Sequence, residues 1–277
     1  MRTSAISVPI STIDATGTLV SRLDTVAVED PVEIRIGRSR VAITMRTPGH
    51  DRELAAGFLF GEGILTRPDQ ISAIEITKRN EVIVRLRRGE RAANLERSRR
   101  NFYMTSSCGV CGKASIDAVR AQGCGLLPLD FAVEHSIIES LPDRLRAAQP
   151  TFDQTGGLHA AGLFDNEGML LSIFEDVGRH NAVDKLIGTE FLAGRIPLRD
   201  RIIVVSGRTS FELVQKTVMA GAPLLAAVGA PSSLAVELAL RFRLTLCGFV
   251  RKDRFNVYST PARLTNIHET SERRPLS

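Results

Sequence analysis

The sequence predicts an α/β protein with an α+β N-terminal part, and three observations carry that expectation. Ile202-Ile203-Val204-Val205 and Leu224-Leu225-Ala226-Ala227-Val228 are apolar at every position. Strands covered on both faces of a parallel sheet read this way, whereas half-exposed strands alternate. Helical spacing follows each run, over 211–220 and 234–242, so strands and helices alternate as crossover units do. Before residue 90, by contrast, apolar and polar residues alternate in short paired segments.

Taken in order, the chain opens on a segment read as a short loose tail, residues 1–20. Residues 32–36 and 41–46 alternate around Gly37-Arg38-Ser39-Arg40, a hairpin. Leu54, Phe58 and Leu59 recur at helical spacing and stop at Gly61. Residues 71–77 and 81–87 form a second hairpin around Arg79-Asn80. A Ser/Gly/Cys loop occupies 105–112, with helix expected over 114–122 and over 136–148, the latter interrupted by Pro142. Residues 158–164 and 169–174 flank Asp165-Asn166-Glu167-Gly168, a third hairpin, and 181–187 reads as helix. The expected organisation is a tail at 1–20, an α+β domain at 21–100, a Cys-x-x-Cys loop and helical connection at 101–150, an α/β ligand-binding domain at 151–262 and a tail at 263–277.

Composition narrows the function classes. Of 277 residues, 43% are hydrophobic and 24% charged, as in a folded globular protein. No apolar run approaches the roughly 18 residues that span a bilayer, and the start lacks a signal-peptide apolar block, so a cytoplasmic protein without membrane association is expected. Net charge is +5, with arginines clustered at 85–100. Nucleic-acid binding is not expected, because Trp is absent, Tyr occurs twice, and no aromatic residues interleave with the basic run to stack bases. Of the four cysteines, Cys247 lies in an apolar run and reads as a buried hydrophobe, and Cys124 has no evident partner.

Cys108-Gly109-Val110-Cys111 carries the sharpest chemistry. The spacing places two sulfurs on one turn, and the glycines leave them open. A helix beginning after Cys111, with Lys113 beside it, favours thiolate over thiol. A thiolate can attack a sulfur donor and hold a persulfide as a covalent intermediate. A zinc site would need a second ligand pair; a thioredoxin-like pair and a structural turn also compete.

The second cluster is Glu175-Asp176-Val177-Gly178-Arg179-His180-Asn181. A glycine opening a helix after a strand can offer backbone N–H groups to phosphate, and Arg179 adds fixed charge. It also reads as a capping turn, with Asp176 or Asn181 as the cap and Lys185 facing solvent. Ser206-Gly207-Arg208-Thr209-Ser210 repeats the device, and Pro231-Ser232-Ser233 is a third strand-to-helix turn. Such turns share the carboxyl edge of one sheet, where α/β proteins bind ligands. Together they suggest a nucleotide-sized anion. His159, after paired glycines, either lines that pocket or is an ordinary half-buried His.

At TSSCGVCGK, TGGLHAA, EDVGRHNAVDKLIG, SGRTSFELVQK and APSSLAVELA the sequence resembles the formate dehydrogenase accessory sulfurtransferase family, FdhD, over most of residues 20–260. The resemblance implies that a cysteine desulfurase passes sulfur to the Cys108–Cys111 loop. It further implies delivery to the molybdenum of bis(molybdopterin guanine dinucleotide), which enters formate dehydrogenase. It assigns the persulfide to Cys108, although the helix-terminus argument alone favours Cys111. It places cofactor contact at Phe249, Val250, Arg251, Lys252, Asp253 and Arg254, where three cations suit a pyrophosphate; Asp176, Arg179, Asn181 and Ser206, from the strand-to-helix turns, complete the expected binding set. It implies a homodimer, and a core similar to cytidine deaminase, with which the order ββαβαβα agrees. The zinc signature, His-x-Glu and Pro-Cys-x-x-Cys, is replaced at the equivalent helix starts by His180-Asn181-Ala182 and Ser206-Gly207-Arg208, so a GDP-like moiety without zinc is expected. Two other readings stay open: a dithiol oxidoreductase, which needs both cysteines, and a non-catalytic cofactor chaperone, which needs neither.

Overall fold

The computed structural model describes residues 3–93 and 124–268. The expectations for the loop at 105–112, with Cys108 and Cys111, and for the helix at 114–122 lie outside the described residues. Residues 5–27 correct the loose tail expected at 1–20. Strands β1 (Ala5–Ile13) and β2 (Leu19–Ala27) pair antiparallel from Ala5↔Ala27 to Ile13↔Leu19. Asp14 closes their turn, its carboxylate accepting from the backbone N–H groups of Thr16 and Thr18 at 2.8 and 3.0 Å. Gly17 sits there at φ 83°, where a side chain would be strained. Pro9 fits within β1 because in a two-stranded ribbon every strand is an edge, where Pro is admitted.

The next part follows the hairpin pattern. Strands β3 (Asp30–Ile36), β4 (Ser39–Arg46), β5 (Ile71–Ile76) and β6 (Glu81–Leu86) make one sheet in the order β4-β3-β6-β5. Helix α1 (Asp51–Gly61) buries Leu54, Ala55, Leu59 and Phe60. Beyond it come β7 (Val133–Glu134), helices α2 (His135–Ala147) and α3 (Pro150–Thr155), and strands β8 (His159–Phe164) and β9 (Leu170–Asp176). Helix α4 (Arg179–Leu192), β10 (Ile202–Val205), α5 (Phe211–Ala220), β11 (Leu224–Ala227), α6 (Ser233–Phe242), β12 (Thr245–Arg251), β13 (Arg254–Ser259) and β14 (Leu264–Thr265) complete the chain. The large sheet has six strands in the order β13-β12-β11-β10-β8-β9. β10, β11 and β12 are parallel, and β8 is antiparallel to both β9 and β10. The carboxyl ends of β9, β10, β11 and β12 therefore share one edge with the starts of β8 and β13.

This sheet is covered on both faces, which is why its central strands are apolar throughout. Ile203, Val205, Leu225 and Ala227 join one core with α4, α5 and α6. Ile202, Val204, Leu224 and Ala226 join a second core beneath α2. Helix α2 runs through Pro142, correcting the expected interruption. An interior proline costs about 3 kcal/mol, and the helix is held by Ile138, Leu141 and Leu145, all at most 1% exposed. At the other end Arg263, expected in a tail, is fully buried. Its guanidinium donates to the carbonyls of Arg243 and Pro128 and to the Thr245 hydroxyl, and β14 pairs with β7 through Leu264↔Val133. Among the described residues no helix is long and apolar enough to cross a membrane.

The first core is continuous from Val32 and Ile34 of β3 to Leu244 and Leu246. It is continuous because α1 crosses α4 with nothing between the backbones. A Cβ on Gly57 would lie 1.9 Å from the Asp184 carbonyl oxygen, and one on Gly188 would lie 1.9 Å from that of Glu53. Gly188→Ala should therefore force the helices apart and lower unfolding free energy by at least about 1–3 kcal/mol, measured by denaturant titration. Gly125→Ala, where an added Cβ meets nothing within 4 Å, should be neutral within about 0.5 kcal/mol.

Candidate functional site

The carboxyl edge of the large sheet borders a cavity of about 1010 Å³. Three segments wall it. The α2–α3 corner contributes Asp143, Arg146, Gln149 and Phe152; the approach to β8 contributes Gly156 to His159; the β12–β13 hairpin contributes Val250 to Arg254. Ser206, at the end of β10, joins them. Six of the expected binding residues thus meet in one concavity: Ser206, Val250, Arg251, Lys252, Asp253 and Arg254. Phe249, Asp176, Arg179 and Asn181 are not among its lining residues.

The hairpin is built to present charge. Val250 is buried and anchors the strand, while Arg251, Lys252, Asp253 and Arg254 are exposed. Arg251 Nη1 donates to the carbonyls of Val228 and Val250, both at 2.8 Å, so its guanidinium is held rather than free to wander. Phe249 is 44% exposed at φ 52°, a left-handed conformation that costs a bulky residue energy. Its N–H donates to the Gly229 carbonyl at 3.1 Å, tying the bend to the end of β11. The Ser206 hydroxyl accepts from Ala160 N–H at 2.9 Å, and Ser206 N–H donates to the Ala160 carbonyl at 3.0 Å, which clamps β10 to β8 beside the cavity.

Asp176 and Asn181 hold the edge from inside. Asp176 is fully buried. Its carboxylate accepts from Thr47 N–H, Gly178 N–H and Asn181 Nδ2 at 3.2, 2.8 and 3.0 Å. It also pairs with Lys185 Nζ at 2.7 Å. Lys185 is 1% exposed and also donates to the carbonyls of Thr47 and Glu175, so the solvent-facing reading of Lys185 is corrected. Asn181 Nδ2 reaches the Met45 carbonyl at 2.7 Å. These side chains join the end of β4 to the start of α4; a charge so enclosed persists only with such partners.

Arg179 opens α4, and its Nε is buried with no hydrogen-bond partner among the described residues. Its charge acts on two histidines. His159 is pushed down from the ordinary value by burial, then by Arg179. His180 is pushed down to about 4 by burial, then by Arg179 and Lys216. Both rings are therefore neutral near pH 7. His180 Nε2 lies 3.1 Å from the Ser210 hydroxyl. Among the described residues no three His, Cys, Asp or Glu side chains gather as a metal site.

Sequence reading missed Gln149, Phe152 and Arg146, which sit where a helix merely seemed to end. It also missed the second buried pair, Asp184–Lys216, at 2.6 Å. The Asp184 carboxyl is pushed up to about 6, first by burial and against the pull of Lys216; burial pulls Lys216 down, but Asp184, Glu62 and Glu212 together raise it. At neutral pH both are charged. Lys216→Met should cost about 3–5 kcal/mol in unfolding free energy at pH 7.5. That deficit should shrink as the pH falls toward 5. A carboxyl whose folded value lies above its unfolded value, 3.8, favours the folded chain below that value and loses the benefit as pH rises through the folded one. Asp184→Asn added to Lys216→Met should recover part of the loss.

Known proteins resemble this chain in sequence and in fold. A "Sulfur carrier protein FdhD" from Streptomyces avermitilis is 51% identical over 259 residues, covering 90% of this chain and 92% of its own. One from Mycolicibacterium paratuberculosis is 49% identical over 258 residues, covering 90% and 94%. The crystal structure of a Desulfotalea psychrophila protein, described as a formate dehydrogenase accessory protein, superposes with a TM-score of 0.76 at 27% identity, covering 95% of this chain and 100% of that one. Residues 27–265 match the FdhD/NarQ family throughout, and the chain belongs to that family.

Proposed function

We propose that this protein is a sulfur carrier that loads Cys108 with sulfur from a cysteine desulfurase and delivers it to the molybdenum of bis(molybdopterin guanine dinucleotide) for formate dehydrogenase. Relatives about half identical over nine-tenths of the chain carry the name of sulfur carrier, which supports the sulfur half. Loading is attack of the Cys108 thiolate on the outer sulfur of the donor's persulfide. A new S–S bond forms as the old one breaks, and the donor cysteine leaves as thiolate. Cys111 is the accessory thiol.

The acceptor half is supported by one observation above the others: the Arg251–Arg254 hairpin, Ser206 and His159 share a cavity large enough for a nucleotide. The three cations of the hairpin suit the pyrophosphate, and a neutral His159 adds no further charge. Asp176 and Asn181 act by fixing the edge, and Arg179 by its field. We read the underlying core as deaminase-like, with His180 in the first turn of α4 and Ser206 at the end of β10, ahead of α5, in place of metal ligands. The reading includes a homodimer working in the cytoplasm.

Cys108→Ala should abolish client dehydrogenase activity without lowering the melting temperature, and mass spectrometry after incubation with desulfurase and cysteine should find no added sulfur on residues 105–112. Retained client activity would exclude Cys108 as the carrier. A requirement for both cysteines would favour the dithiol oxidoreductase. Arg251→Ala with Arg254→Ala should load sulfur normally yet weaken nucleotide binding. Each charge-assisted hydrogen bond to phosphate that is removed should lower affinity at least about tenfold, an effect that diminishes with salt.

A further inference from the structure

We infer that the outer edge of β2 is the surface on which two copies of this chain join, as an antiparallel strand pair with Leu23 on the two-fold axis. This rests on the homodimer reading above and names its surface, its register and the side chains that specify them.

The β1–β2 ribbon exposes apolar side chains on both faces. The three most exposed large apolar side chains among the described residues are Leu23, Ile13 and Leu19, at 70, 68 and 61%, and all three belong to it. They share one face, since Leu23 stands opposite Pro9 and Ile13 opposite Leu19. Ile6 and Val20 are exposed on the other face. The root of the ribbon is braced: residues 25–28 are half-buried, and Ala27 lies beside Gly157. Residues 19–24 are exposed throughout. A lone two-stranded hairpin is marginal in water, and an apolar patch of this kind marks a contact with another chain.

The backbone says which edge is open. Val28 N–H donates to the Ser4 carbonyl and Asp14 N–H to the Thr18 carbonyl, so the even-numbered pairs of the ribbon carry its hydrogen bonds and the odd-numbered residues turn their groups outward. Pro9 falls in the outward set of β1 and has no N–H to offer, which blunts that edge. β2 contains no proline, and Ser21, Leu23 and Thr25 present both backbone groups. Turning a second copy about an axis through Leu23 sets it against the partner's Leu23, Ser21 against the partner's Thr25, Val20 against the partner's Val26 and Arg22 against the partner's Asp24. Each residue then meets its like in character or its opposite in charge. Across its own ribbon Arg22 faces Ile10 and Asp24 faces Val8, so neither charge is matched by the residue opposite it. Moving the axis to Arg22 or to Asp24 would oppose like charges directly, which destabilises a strand pair. The contact uses the same patch on both copies and closes at two.

Light scattering of the full-length protein over a concentration series tests this, together with cross-linking. The wild type should be a dimer. Arg22→Glu opposes two like-charged pairs across the axis and should weaken dimerisation at least about tenfold; Asp24→Arg should do the same. The double variant, with both charges exchanged, should recover the dimer, which a merely misfolded ribbon would not. Leu23→Cys should form a disulfide between two copies in oxidised glutathione, located by peptide mass mapping, because directly opposed strand residues stand about 5.5 Å apart at Cα, within disulfide reach. Ile13→Cys, almost equally exposed, should not. A dimeric wild type whose single charge variants dimerise unchanged overturns this surface and leaves the homodimer reading standing. So does a double variant that stays monomeric, a Leu23→Cys that does not cross-link, or an Ile13→Cys that cross-links as readily. A monomeric wild type overturns both.

Discussion

The bare crossing of α1 over α4 is the constraint on which the rest of the structure depends. Two helices ordinarily keep 8–10 Å between axes because side chains intervene. Here Gly57 faces Asp184 and Gly188 faces Glu53, backbone against backbone. Glycine in a helix interior costs about 0.5–1 kcal/mol against alanine. The return is a single core reaching from the small sheet to the large one. Close approach also sets the neighbours of the crossing. Asp184 lies beside Gly57 on one side and pairs with Lys216 on the other, and Gly61 leaves room for the Lys216 chain, whose Nζ would stand 3.0 Å from a Cβ there.

From that crossing the arrangement of the ligand edge follows. With α1 seated, the end of β4 reaches the start of α4, and Met45 and Thr47 become partners for Asn181, Asp176 and Lys185. The two buried ion pairs add little net stability relative to apolar replacements of the same shape, since desolvation offsets their attraction. Their effect is on geometry, because an enclosed charge tolerates few positions. Asp176–Lys185 fixes the end of β9 against α4 and Asp184–Lys216 fixes α4 against α5, and so they set where Arg179 projects its field on His159 and His180. On the far face of the sheet α2 and α3 add the remaining wall, pinned by Glu175 of the same β9 strand. One strand end thus organises both sides of the cavity edge.

Much of the fold was legible because its signals are local. The apolar runs at β10 and β11, the hairpins of β3–β4, β5–β6 and β8–β9, and the helix at 211–220 each follow from period, turn residues and length. The cysteine spacing and the three strand-to-helix turns likewise announce themselves in a few adjacent residues. Where the reading failed, a polar or breaking residue was compensated by something distant in sequence. Asn181, Asp184 and Lys185 concealed the burial, on nearly all sides, of a helix that was expected over 181–187. Pro142 suggested a break in α2 that the packing of Ile138, Leu141 and Leu145 overrides. Gln149 gave no sign at all, because an amide at a helix end looks solvated until a neighbouring wall encloses it.

The sequence by itself determined the alternation of elements and the hairpin with three cations, since each is written in contiguous residues whose chemistry needs no partner to be recognised. The tertiary structure alone decided which of the candidate residues share a cavity. Ser206 and Arg251 are brought together by strand order, whereas Asp176 and Asn181, equally polar and equally near a helix start, are turned inward by β4 and Lys185. The physical reason is that a polar side chain has no fixed role in sequence. Its role is set by whether the fold supplies it with a protein partner, as for Asp176, or encloses it without one among the described residues, as for the Gln149 amide nitrogen.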